Sequence, residues 1–223
     1  MPSQLQALVQ SMPIADVHEH LLEEKTRLAG GSGYSLADIG VLFSHYLIDE
    51  LQIAGMSPGD AARVLQREAP PDEKWSLIWP HWKHVRASGY ARAMLESVRM
   101  LYNIDDLDDT TWQRVDDAVR KGIKPGYYNH VLRGVANVDH CQVHNLERPL
   151  FLHSEHPDLL LHDLLFMDLS TDINVPLLVE RTGIDIRTLD DCLAAIDTVF
   201  ADIGPRAIAM KNFNAYHPGF DFA

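Results

Sequence analysis

The densest set of chemistry-bearing side chains in the sequence is Asp16-Val17-His18-Glu19-His20. It follows the apolar stretch 12–17, which reads as a short buried strand. Side chains two apart on a strand share a face, so His18 and His20 project together. Two imidazoles so placed suit a divalent metal ion, with zinc the leading choice and manganese the alternative. The plainer alternative is a pair of solvent-facing or core-edge histidines.

Lys211 is the second candidate. It follows Ala207-Ile208-Ala209-Met210, at the end of what reads as a buried strand, where an amine is costly unless neutralised, modified or paired. Carbon dioxide can add to the neutral amine. The carbamate is an anion whose two oxygens can bridge two metals, so a carbamylated Lys211 would be both ligand and catalytic group. Otherwise Lys211 reaches solvent along its stem or pairs with an acid such as Asp221.

The remaining histidines divide by context. His140 and His144 bracket Cys141, but with no second cysteine pair a four-ligand structural zinc site is not built. His144 reads better as a pocket-lining, substrate-contacting residue at the end of a second strand. His153 and His156 sit in a loop before Pro157, where His153 meets substrate or water. His217 is close enough to Lys211 in sequence to join its site as a substrate contact. His81 and His84 lie beside Trp79 and Trp82, an aromatic density that points to packing.

Several elements must position these groups. Leu36, Ile39, Leu42, Phe43, Tyr46, Leu47 and Leu51 recur at helical spacing, and the pattern stays helical to about Gly122. Ser35 with Asp38 and Thr110 with Gln113 resemble capping boxes, and Ser57-Pro58 resembles a helix start. Pro80 predicts a kink or boundary. A helix through Val135 leads to a strand at 138–144, a third strand at 164–169, a helix from Thr188 to about Ile203 and a fourth strand at 206–211. Short apolar strands alternating with helices imply an α/β fold with a parallel sheet, open or curled into a barrel.

Composition narrows the function classes. The 223 residues carry 19 basic and 32 acidic side chains, a formal charge of −13, and two cysteines. The acidic balance disfavours nucleic acid or an anionic membrane as partner. Two scattered cysteines make no disulfide framework, and the N-terminus lacks a signal-peptide pattern, so a cytoplasmic protein with a small-molecule substrate is expected. No phosphate-binding loop, nucleophile elbow or dinucleotide fingerprint is present.

Four stretches together resemble the amidohydrolase superfamily, in its amidohydrolase-related branch: IADVHEHLL, the helical stretch 79–109, RTGIDIRTLDDCLAAID and AIAMKNFNAYHPGFDF. The resemblance implies a (β/α)8 TIM-type barrel with metal at its C-terminal mouth. It makes His18 and His20 first-strand metal ligands and Lys211 the fourth-strand lysine that can be carbamylated. The implied reaction is metal-assisted hydrolysis of an amide, lactone or ester. The long helical insertion, placed at 30–122, is similar to that of uronate isomerases, which makes sugar-acid isomerisation the alternative. The family's ligands after strands five, six and eight have no counterpart here. The expectation is therefore a single incomplete barrel domain of about four βα units over 1–223. Catalytically incomplete as an isolated chain, it would self-associate, as a homo-oligomer, through its open barrel edge.

Overall fold

The structure is a computed structural model that describes residues 4–30, 36–145, 147, 149–166, 169 and 173–212. His217 and Asp221, named above as site candidates, lie outside the described residues. The contacts divide the chain into two compact units, Met1–Glu23 with Asn137–Ala223, and Glu24–Ala136. The expected insertion spanned 30–122.

The first unit is α/β. Helix α1 (Gln4–Ser11) precedes strand β1 (Ile14–Glu19). After the second unit come β2 (Val138–Val143), β3 (Leu160–His162) and β4 (Leu164–Leu165). Helices α8 (Val175–Thr182) and α9 (Leu189–Ile203) precede β5 (Met210–Lys211); α2 to α7 belong to the second unit. The ladders β1–β2, β2–β3 and β4–β5 are all parallel. β3 and β4 are separated only by Asp163. The His162 carbonyl accepts from Ile208 N–H at 3.1 Å, and Leu164 N–H donates to Ala209 at 2.8 Å. Residues 160–166 thus bridge β2 on one side to β5 on the other.

Three strands differ from the sequence reading here, the fourth expected strand being confined to Met210–Lys211 after a 3-10 turn at Gly204–Arg206. The third strand starts at Leu160 rather than Leu164, because the buried acid Asp163 interrupts an otherwise apolar run. β1 is not buried: Ile14 is 50% and Val17 70% exposed, since β1 pairs only with β2 among the described residues. Met210 and Ile208 are also exposed, so Lys211 ends a short strand open to solvent. α9 begins as read, with Thr188 and Asp191 forming a reciprocal capping box. Its apolar face joins Leu164, Leu150 and Leu178 in the core of this unit.

The second unit is helical: α2 (Glu24–Ala29), α3 (Tyr46–Ile53), α4 (Pro58–Val64), α5 (Pro71–Val85), α6 (Gly89–Tyr102) and α7 (Trp112–Gly122), closed by a π-helix over Asn129–Val135. α5 runs through Pro80 without a boundary; its fully buried face of Trp75, Ile78 and Trp82 holds it in place. Trp82 stacks edge-on against Phe43, 5.5 Å between centroids, and donates to the Leu107 carbonyl at 2.8 Å. No capping box forms at Thr110. Asp108 instead accepts from the Thr110 and Thr111 amides, at 2.8 and 3.1 Å, and Thr111 is the residue before α7. A buried ion pair crosses this core, Lys74 Nζ lying 2.9 and 2.8 Å from the two Asp38 oxygens. A Cβ on Gly40 would sit 2.7 Å from the Val64 carbonyl oxygen, so only glycine fits beside this pair.

Candidate metal site

β1 ends in the His-x-His segment. Asp16 Oδ1 accepts the His18 amide at 3.1 Å, an Asx-type turn that shapes the strand end. The register slips between Asp16 and Glu19. Beyond the slip, the two imidazoles face one another, His18 Nε2 and His20 Nε2 being 3.2 Å apart. From the far side of the sheet, Lys211 Nζ comes within 3.1 Å of His18 Nδ1. β1 and β5 are the outermost strands of the run β1, β2, β3/β4, β5. Three strand spacings amount to roughly 14 Å, a gap that the long lysine and histidine side chains close from the two ends of the run.

His144, just past β2, packs its ring edge-on against His20 at 5.2 Å. Its amide donates to the Glu19 carbonyl at 2.8 Å. Its Nδ1 lies 3.4 Å from Asp163 Oδ1, within ionic reach, and Asp163 is 1% exposed. The ends of β1, β2, β3 and β5 thus bring His18, His20, His144, Asp163 and Lys211 together. The neutral form of His20 is favoured. Burial pushes its pKa down, and His144, His18 and Lys211 add to that, outweighing Asp163. Glu19 is pushed up to about 7, by burial first and by its neighbour Asp16 second.

Two nitrogen ligands of a tetrahedral zinc, each about 2.0 Å from the ion, stand about 3.3 Å apart, and the His18–His20 separation matches that edge. Among the described residues, no three or more His, Cys, Asp or Glu side chains are arranged to hold an ion. The histidine pair alone has the spacing of two ligands of one ion; the Lys211 amine lies against Nδ1 of His18, the ring nitrogen not in that pair. His140 takes no part; it pairs with Asp139 at 2.8 Å. Cys141 is buried, its thiol pushed up to about 11 by burial and by Asp16 and Glu19, which leaves it protonated and a poor ligand.

His153 is not part of this cluster. Its Nε2 accepts from Arg206 at 3.1 Å. The sequence reading also missed Asp163 and the buried pair His162 and Glu23, 3.0 Å apart. Their signal is an ionisable His-Asp dipeptide inside the apolar run Leu159–Phe166. In the helical unit, a cavity of about 450 Å³ is lined by Leu36, Val41 and Ile48, with Ser44, His45 and Asp49 as its polar groups. His45 has φ 57°, a backbone conformation that side-chain-bearing residues rarely adopt.

No protein-family model matches the chain, and no curated protein is significantly similar to it. The likeness to the amidohydrolases thus rests on the residues themselves. No helix among the described residues is long and apolar enough to cross a membrane.

Proposed function

We propose that the chain is a partial (β/α)8 barrel carrying metal ligands of an amidohydrolase-type hydrolase, which acts on a carbonyl centre of a small amide, lactone or ester. The observation that carries this reading is the approach of His18 and His20 Nε2 to 3.2 Å, with Lys211 Nζ 3.1 Å from the other ring nitrogen of His18, Nδ1. A bound divalent ion would polarise the substrate carbonyl and make water more acidic.

The chain's own residues do the rest. Burial favours the neutral form of His20, the form with a lone pair to offer. Asp16 fixes the backbone that presents His18. His144, held beside Asp163, faces His20 and is placed to contact substrate. Lys211 becomes an anionic ligand when carbamylated, and as a free amine it donates to His18.

Two further parts of the reading follow. The buried, unpaired Cys141 and Cys192 suit a reducing cytoplasm. The exposed Ile14 and Val17 on a strand with one partner suit self-association through the β1 edge; a monomer at high concentration in light scattering removes that part.

Zinc titration of the full chain by calorimetry tests the central claim. The wild type is expected to show one saturable site that the His18→Ala/His20→Ala variant lacks. Zinc binding unchanged by that substitution removes the reading. Hydrolysis of a panel of amides, lactones and esters, dependent on the same histidines, then identifies the substrate class.

A further inference from the structure

The first unit holds a second cavity, of about 310 Å³, between the 151–157 loop and Arg206. It shares no residue with the His18–His20 cluster. Its walls are Phe151, Leu152, Pro157 and the β3 leucines, and its polar groups are His153, Ser154, His162 and Arg206. This is the composition of a small-molecule site, mostly apolar with a few converging polar groups. The lining includes a cation and no acid.

Arg206 is held in place on three sides. Its guanidinium carbon lies 6.0 Å over the Phe151 ring, one Nη donates to Asp202 at 2.7 Å, and the other donates to His153 Nε2 at 3.1 Å. A guanidinium carries five N–H donors, and these contacts use two. Asp202 is also shared with Arg181, at 2.9 Å, so one carboxylate serves two guanidiniums and the rim stays cationic. His153 accepts on Nε2, which puts its proton on Nδ1 and makes it a further donor on the same rim. Its ring stands edge-on to Phe151 at 5.1 Å. Behind the cavity, His162 is 3% exposed and is fixed by Glu23, whose carboxylate also accepts the Glu155 amide at 3.0 Å.

We propose that this cavity binds a small carboxylate with an apolar body, the carboxylate on Arg206 and the body against Phe151 and Leu152. A prepositioned planar fork favours a two-oxygen anion over a point charge, and its fixed geometry lowers the ordering cost of binding.

Benzoate is the probe. Titrated into the full chain and followed by ¹H–¹⁵N NMR, it is expected to shift the amides of 151–162 saturably, with a dissociation constant on the order of millimolar. Benzyl alcohol, with the same ring and no charge, is expected to give no saturable shift. Arg206→Gln should weaken benzoate about tenfold or more, and Arg206→Lys should recover only part of the loss. Arg181→Gln, which touches the same Asp202 but does not line the cavity, should leave affinity within about twofold. Absent benzoate saturation, equal binding of benzyl alcohol, an unaffected Arg206→Gln, or an equal loss in Arg181→Gln each overturns the proposal. The experiment contains no metal, so its outcome is independent of the hydrolase reading.

Discussion

Lys211 Nζ lies 3.1 Å from His18 Nδ1, although 193 residues separate them in sequence. They stand on strands of two different sheets, β1 of the three-stranded one and β5 of the two-stranded one. The contact sets the C-terminal ends of β1 and β5 side by side. In α/β proteins, ligands collect at that end.

Lys211→Ala is expected to weaken zinc binding by about tenfold or more, as loss of a ligand or its close support does. Added bicarbonate should tighten zinc binding in the wild type and not in Lys211→Ala, because only the lysine amine can form the carbamate. Competition with a chromogenic chelator measures both. Equal zinc affinity in the two proteins would show that Lys211 is a bystander.

Glu23 contributes to the acid limb of stability in the first unit. Burial raises its pKa, but the hydrogen bonds from His162, the Glu155 amide and Ser154 outweigh this, leaving it below the ordinary 4.5. A carboxylate depressed by folding stabilises fully above its unfolded pKa, and that contribution fades as pH falls through the folded value. His162, Glu155 and Glu147 are the titratable residues in contact with it. Urea unfolding of Glu23→Gln between pH 7 and pH 3 should show lower stability at neutral pH and a flatter decline below about 4.5. Parallel curves for the two proteins would contradict this.

Lys74→Met is expected to destabilise the helical unit by about 3–5 kcal/mol, since it leaves Asp38 buried without its cation. Asp38→Asn/Lys74→Met should recover much of that loss. The neutral amide can still accept the Gly40 amide, now held at 2.8 Å by Asp38 Oδ1. Denaturant midpoints distinguish the two. A double variant no better than the single would assign the loss to Lys74 packing rather than to charge.

Thr188→Ala should cost about 1 kcal/mol, the usual value of an N-cap, because the Thr188 hydroxyl accepts the Asp191 amide at 3.2 Å at the start of α9. Thr188→Ser should be close to neutral. Thermal unfolding of both variants checks the contrast.

Local rules made much of the chain readable in advance. The Thr188–Asp191 box, the Ser57-Pro58 helix start, the 138–144 strand and the helical run around Trp75 and Trp82 follow from spacing and capping, which depend on neighbours a few residues away. The His18–His20 pairing was legible for the same reason, since strand alternation is local. Helix α8 went unread although Asn174 and Gly183 mark its ends locally; the continuity of α5 through Pro80 and the strand break at Asp163 were not legible. Both depend on what packs against the segment, and a window of sequence does not contain that.

The sequence by itself determined the α/β alternation, the helical middle and the two imidazoles presented together. Only the tertiary structure decided which distant groups join them. It set Lys211 and His144 beside the pair, and Asp163 beside His144. It drew His153 away to Arg206 and closed Glu23 onto His162. The physical reason is that strand order and sheet curvature are properties of the packed whole, whereas side-chain alternation is fixed by the backbone of each strand alone.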